Sequence, residues 1–518
     1  MNEQEIIFIE KALKEWKLLL GDRAVLTDLS ELERYKANTI SIERIIPAVI
    51  KVRDFRKIST ILKIANQYKI PLYPISTGKN WGYGSANPVN DNCVVLDLSE
   101  LTKILDFNEE LGYVTLEPGV TQAMLYDYLQ KNQLDFLVPT TGAGPSCSIL
   151  GNAVERGYGI TPFADHFSSL ISLEAVLPNG SVYQSPLNQF GAYNVSNLHK
   201  WGVGPYMDGI FTQSNFGIVT KITIALAKRK EALEIFRVSI DTKEKLEEII
   251  PLVRELKQNL GDVLGGINLM NAERMGGMFS DKDFPLWTSV GALYGSSGLV
   301  KEAKKIVRKK LKSLNLSVTF VNQHKINSLK KAQKILPNFL LKHFTGIAEQ
   351  IYATQQLFDV LNGIPSQIAL PLAYLKSKHT PDINGEMNPA LDGCGLIWFS
   401  PLVPIRAEIV TIYIKNVYEI CQRHQIDPLV TLTTVSNVCF DSTIPILFDK
   451  ENGQAQAKKC YQELMQMAHD IGIMPYRINV DSMKIYQENQ HLTSVQLIHQ
   501  IKQVLDPNNI LAPGRYNS

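Results

Sequence analysis

The chain reads PISTGKNWGYGSA at 74–86 and GAGPSCSILGNAVERG at 142–157, two glycine-rich turns separated by a span patterned as strand, strand, helix, strand. Glycine permits positive φ and lets backbone N–H groups approach a ligand closely. Two such turns at strand ends can therefore form concave nests around a pyrophosphate, a pairing that suggests a flavin site. Neither turn matches the dinucleotide fingerprint GxGxxG or the phosphate loop GxxxxGK[ST].

Working outward, DFRKISTILKIANQYKI (54–70) has the apolar spacing of an amphipathic helix, PLYPIS (71–76) reads as a short strand, and VVLDLS (94–99) alternates with period two. YVTLEPG (113–119) reads as a strand leading to Thr121, placed to cap a helix that runs to about Asn132. LISLEAVLPNGSVYQSP (170–186) predicts a hairpin turned by Asn179 and Gly180. From Glu231 the repeats lengthen. LEIFRVSI, a helix from Thr242 to about Leu260, VLGGINLM, WTSVGALYG, the helix of KEAKKIVRKKLK (301–312) and LSVTFV follow one another. The pattern recurs as GLIWFSPL, a helix from about Ile405 to His424, LVTLTTVSNVCF as a strand segment, and a helix from about Ala455 to Gly472. This order predicts an α+β chain in which small sheets form a first domain (1–230) and one antiparallel sheet with helices on one face forms a cap (231–474). Residues 475–518 follow, and 322–392 are mixed and proline-punctuated and give no assignment.

Composition excludes several functions. The chain's 518 residues, 45% hydrophobic, are enough to bury a large core. Its 53 basic and 51 acidic residues nearly cancel, so nothing electrostatic favours nucleic acid, and the basic run 301–312 reads as a solvated helix face. The cysteines form no CxxC, and no HExxH occurs, which leaves a metal centre without support and fits reduced thiols. The opening MNEQEIIFIEKALKEWKLLLG alternates charge and apolarity as an amphipathic helix does. No apolar run approaches the ~18 residues needed to span a bilayer, and the expected location is cytoplasmic.

Five blocks in sequence, STGKNWGYG (76–84), VTLEPGVTQAMLYDYL (114–129), LGNAVERGYGITPFADHF (150–167), GPYMDGIFTQSNFGIVTKI (204–222) and DPNNILAPGRY (506–516), resemble the vanillyl-alcohol oxidase and p-cresol methylhydroxylase flavoprotein family. The resemblance is close over about 45–226 and again at the C-terminus, and looser in the cap. It implies a two-part FAD-binding domain of the p-cresol methylhydroxylase type, residues 475–518 returning to it, with FAD as cofactor and a homodimer as the assembly. Ser76, Thr77, Gly78, Lys79 and Asn80 match the family's first phosphate-contacting turn, Gly151 and Asn152 the second, and Gly217 and Ile218 the segment along the adenosine or ribityl portion.

By the same resemblance Tyr83, Tyr476 and Arg477 match the two tyrosines and arginine that hold a phenol oxygen as phenolate, and Arg515 an arginine near the flavin ring or substrate. An anionic ring oxygen eases hydride loss from the para carbon, because its charge flows toward the developing quinone methide. Arg477 and Arg515 can equally serve as ion-pair partners, as can Glu155 and Arg156. Asp165 and His166 form either a hydrogen-bonded structural pair or a group tuning the flavin. Three departures stand out. Thr140 lies where vanillyl-alcohol oxidase carries a carboxylate, and a threonine is no general base at neutral pH. Leu396 occupies the place of a flavin-linking histidine, and Asn80 that of the second histidine of bicovalent relatives, so the flavin is expected to be noncovalent. Cys147 in the second turn could bond the flavin ring, but small-residue packing is the favoured reading of this thiol.

The leading expectation is an FAD-dependent oxidoreductase acting on a para-substituted phenol at its benzylic carbon, with oxygen or a cytochrome as acceptor. An alternative keeps the flavin fold with a non-phenolic alcohol or secondary metabolite as substrate, and a third is a non-catalytic docking subunit. The related 2-hydroxy acid dehydrogenases fit less well, for want of their metal-binding histidines.

Overall fold

A computed structural model of the chain describes residues 3–278, 284–335, 345–382 and 385–517. Its first sheet has four strands in the order β1 (Val25–Leu26), β2 (Val49–Lys51), β4 (Val94–Asp97), β3 (Leu72–Ile75), with β2, β4 and β3 parallel. Parallel neighbours need a crossover. The helix Ile58–Tyr68 provides it between β2 and β3, burying Ile58, Ile61, Leu62 and Ala65 at helical spacing and ending where Lys69 turns left-handed at φ 53°. The second sheet is antiparallel, in the order β5 (Ile104–Asn108), β6 (Tyr113–Leu116), β9 (Ile218–Ala225), β7 (Leu170–Val176), β8 (Val182–Gln184). Its β7–β8 hairpin turns through Gly180 at φ 84°. Thr121 caps the helix Gln122–Lys131, its side chain accepting from Met124 N at 3.2 Å.

The third sheet has nine strands: β10 (Ala232–Ile240), β11 (Leu264–Asn271), β12 (Trp287–Gly295), β13 (Val318–Val321), β14 (Gly395–Phe399), β15 (Pro401–Pro404), β16 (Thr431–Thr434), β17 (Cys439–Phe448) and β18 (Met474–Pro475). Every pairing is antiparallel. The structure corrects two sequence readings here. GLIWFSPL is broken at Ser400 into β14 and β15, which pair with successive parts of β17. LVTLTTVSNVCF is a hairpin, because the backbone closes from Val435 N to Cys439 O at 3.0 Å and β17 runs on to Phe448. The unassigned stretch supplies the helices Gln323–Ile335 and Thr345–Leu361 and a short 3-10 turn, Leu370–Tyr374.

Four helices, Lys243–Leu260, Ser297–Ser313, Ala407–Arg423 and Gln454–Asp470, cover one face of this sheet. The first is representative: Thr242 caps it, and Leu246, Ile249, Ile250, Val253 and Leu256 form one apolar stripe against Ile267, Leu269 and Val238 of the strands. Full burial of each such side chain contributes about 1.5–3 kcal/mol. The basic run is the helix Ser297–Ser313, which buries Val300, Ala303, Val307 and Leu311 and leaves lysines outward. All six cysteines are free thiols.

The C-terminal segment returns to the first sheet. Leu511 bridges Leu72 in parallel, with Leu72 N donating to Ile510 O and Ala512 N to Leu72 O, both at 2.7 Å. A buried ion pair fixes this return: Lys502 Nζ meets Asp506 at 2.6 Å and also donates to Asn215 O (3.0 Å) and Leu511 O (2.8 Å). Asp506 in turn accepts from the backbone of Ile510 and Leu511. Breaking a buried pair by removing one partner costs about 3–5 kcal/mol. Lys502→Met is therefore expected to lower the urea midpoint by an amount equivalent to about 3 kcal/mol, and a midpoint within error of the parent would show that this pair does not secure the C-terminal return.

Candidate active site

A cavity of about 650 Å³ lies between the glycine turns and the face of the nine-stranded sheet opposite its four core-covering helices. The residues matched to the family's cofactor and substrate positions line it: Ser76, Thr77, Gly78, Lys79, Asn80, Tyr83, Gly151, Asn152, Gly217, Ile218, Tyr476, Arg477 and Arg515. The two turns, far apart in sequence, touch: Ser148 N donates to Thr77 Oγ1 at 3.2 Å, and a Cβ on Gly151 would stand 2.3 Å from Ser76 Oγ. The loops thus approach as closely as only a glycine allows. Lys79 Nζ reaches Glu386 at 3.1 Å and stands over the Trp81 ring. Asn152 Oδ1 lies 2.6 Å from His166 Nδ1. His166 therefore pairs with Asn152 and not with Asp165, whose carboxylate instead accepts from Ser168 N, so of the two readings of this segment the Asp165–His166 pair is not formed. Burial pushes His166 down to about 4, which keeps it neutral.

Tyr83 enters the cavity between two glycines. A Cβ on Gly82 would lie 2.1 Å from the Trp398 ring, so the loop can seat Tyr83 beside Trp398 only because that position is bare. The Tyr83 hydroxyl is 3.2 Å from Ser400 Oγ and within hydrogen-bonding reach of Tyr476. Tyr476 packs on Tyr158 with ring centroids 4.7 Å apart. Burial raises the hydroxyls of both Tyr83 and Tyr476, leaving them neutral donors at pH 7. The Arg477 guanidinium stands 4.4 Å from the Tyr83 ring centroid and donates to Asn80 Oδ1 at 2.7 Å.

The ion-pair roles weighed for the arginines are present as well. Glu155 receives Arg477 Nη2 at 3.1 Å and is bonded by Arg515 Nη2, while Arg515 Nη1 donates to the Tyr73 hydroxyl at 2.6 Å. Burial alone would raise Glu155, but the charges of Arg515 and Arg477 outweigh it and hold the carboxyl below its ordinary value. Thr140 is buried and lines the cavity, its hydroxyl donating to Val360 O at 3.0 Å. Cys147 donates to Ala143 O at 2.9 Å, and burial pushes its thiol up to about 12, which fits packing and not reaction. Leu396 lines the cavity, and among the described residues no histidine does.

The cap wall holds what sequence reasoning missed. Cross-strand register aligns Arg237, Val290, Asn268, Thr433 and Asp441 in one row and Thr288, Met270, Thr431 and Thr443 in the next, all facing the cavity. Alternate residues of the same strands, Phe236, Leu269, Leu432 and Phe440, point into the helix-covered core. Asp441 acts on Tyr83, Tyr476 and Tyr158, and burial pushes its carboxyl up to about 8. Period-two alternation of threonines reads as a solvent face in sequence, so only the pairing of β17 with its neighbours places Asp441 inside.

Residues 46–185 match the FAD binding domain family. The chain is 31% identical over 547 residues to the 1'-carboxy-chondrochloren decarboxylase of Chondromyces crocatus, covering 100% of this chain and 98% of that one. It is 28% identical to the 4-cresol dehydrogenase [hydroxylating] flavoprotein subunit of Pseudomonas putida, over 98% of this chain and 95% of the relative. The structure of p-cresol methylhydroxylase with substrate bound superposes with a TM-score of 0.86 at 26% identity, covering 98% of this chain and 96% of that one. The bare cradle at Gly151, the paired turns and the neighbouring cations fit FAD, which this fold binds.

Asp441 makes stability depend on pH. Its unfolded value is near 3.8 and its folded value about 8, so between them the folded protein keeps a proton that the unfolded chain releases. The stability contributed by the neutral acid is full below pH 3.8 and is lost as pH rises through 8. Asp441→Asn, which never ionises, should therefore gain several degrees in melting temperature relative to the parent between pH 5 and pH 9. A constant gap across that range would show that Asp441 is already ionised at pH 5.

Proposed function

We propose that this chain, which belongs to the vanillyl-alcohol oxidase and p-cresol methylhydroxylase family of FAD-dependent oxidoreductases, oxidises a para-substituted phenol at its benzylic carbon. The observation that carries this reading is the convergence of Tyr83, Tyr476 and Arg477 at the cavity. Two neutral buried hydroxyls and a fixed guanidinium form a preorganised receptor for an oxygen that becomes anionic. Asn80 and Glu155 orient Arg477 from the other side, so that receptor does not need to reorganise. Asp441, beside both tyrosines and poised near neutrality, is the group able to hold a proton there. FAD, when bound, accepts the hydride. The absence of a cavity histidine among the described residues, with Cys147 locked as a thiol, supports noncovalent flavin.

The Thr140 hydroxyl is engaged by Val360 and offers no base to activate water. The quinone methide is then discharged without water. For a side chain bearing a carboxylate on the next carbon, the C–COO⁻ bond breaks, its electron pair forms the side-chain alkene, the exocyclic pair returns to the ring oxygen, and CO₂ leaves. The similarity to a protein named as a decarboxylase favours this second reading.

The test is anaerobic mixing of the yellow holoenzyme with a panel of 4-alkylphenols, in which bleaching of the flavin band is expected. Tyr83→Phe and Tyr476→Phe should each slow that bleaching about 10²-fold, the usual effect of losing one preorganised donor to an anion. Rates within threefold of the parent in both variants, or no bleaching by any phenol, would refute the phenolic reading. Acid precipitation should release the flavin. Product analysis checks the role given to Thr140: a 4-propylphenol should yield mainly alkene, with Thr140→Asp shifting the ratio toward alcohol. Mainly alcohol from the parent, with oxygen from labelled water, would place a base elsewhere.

A further inference from the structure

Arg274 stands on the cap wall of the cavity, in the short helix Ala272–Met278 that follows β11. It is 9% exposed, and its Nε and Nη1 have no hydrogen-bond partner among the described residues. A buried guanidinium without an anion is costly, because desolvation is uncompensated. Burial pulls it down to about 10, and it stays charged at neutral pH. Its guanidinium lies 6.0 Å from the Trp398 ring centroid, and that ring abuts Gly82, the neighbour of Tyr83. Arg274 is thus separated by one side chain, Trp398, from the loop that carries Tyr83.

The strand floor shares this unmet polarity. Among the described residues the donors Thr288 Oγ1, Thr431 Oγ1 and the half-buried Arg237's Nε face the same cavity without partners, as do the oxygens Asn268 Oδ1 and Asp441 Oδ1. Native interiors rarely leave so many polar atoms unpaired unless a ligand supplies the missing groups. A hydrocarbon tail would leave them all unmet. A monoanionic fork suits a guanidinium with spare Nε and Nη donors, and the hydroxyls complete it.

We propose that Arg274 and the polar floor of the nine-stranded sheet form a carboxylate-binding subsite, so that the substrate is a para-substituted phenol whose side chain ends in a carboxylate. The phenolic half of that statement rests on the function proposed above, while the anion subsite rests on Arg274 and the floor alone.

Two measurements on the FAD-loaded protein separate these parts. The first is calorimetric binding of 3-phenylpropanoate, which carries the carboxylate and no phenol, against propylbenzene-sized neutral 3-phenylpropanamide. The carboxylate is expected to bind at least tenfold more tightly in the parent, and Arg274→Met should abolish that preference while Arg274→Lys keeps part of it. The second is flavin bleaching by 3-(4-hydroxyphenyl)propanoate against 4-propylphenol, with half-saturation at least tenfold lower for the acid. Equal binding of acid and amide by the parent overturns the subsite, whether or not Arg274→Met folds. So does an Arg274→Met protein with parental melting temperature and unchanged preference. Preferential binding of 3-phenylpropanoate without bleaching by either phenol keeps the subsite and overturns the phenolic reading.

Discussion

One buried carboxylate holds three distant pieces of chain together. Glu155, at the end of the second glycine turn, is clamped between Arg477, which follows the last strand of the cap sheet, and Arg515, near the C-terminus. Each guanidinium is buried and takes its charge partner from Glu155, while the two cations offset the desolvation that would by itself raise the Glu155 carboxyl. The interaction therefore sets where Arg477 points, and through Asn80 it ties that direction to the first glycine turn. Structural and functional readings of the two arginines are not rivals here, since the ion pair is what preorganises the cation beside Tyr83.

The nine-stranded sheet divides its labour by face. Its apolar alternate residues anchor four helices, whereas its polar alternate residues form the cavity wall. That arrangement supplies rigidity, because the wall side chains project from paired strands whose other face is packed solid. Charge at the site is similarly fixed. Tyr83, Tyr476 and Asp441 are all shifted toward their neutral forms by burial, while Arg477 and Arg274 remain positive. At neutral pH the cavity therefore favours anions at both the tyrosine end and the cap wall, and Glu155, the negative charge beside Arg477, is already neutralised by two partners.

The two glycine turns, the change of pattern near Glu231 and most strands and helices were legible in the sequence because they depend on local rules, positive φ and period-two and period-3.6 alternation, whereas Tyr83 and Arg477 were singled out only by the family resemblance. The sequence could not divide GLIWFSPL at Ser400 or fold LVTLTTVSNVCF into a hairpin, since both breaks are decided by which part of β17 each segment meets. Nor could it distinguish a polar strand face turned to water from one turned to a cavity. Asp441, Arg274, Asn268 and Thr431 look like solvent-facing residues until nonlocal pairing closes the sheet over the turns. Tertiary structure alone decided their burial, and burial is the physical cause of what they do: it keeps a proton on Asp441 and leaves Arg274 charged and in need of an anion.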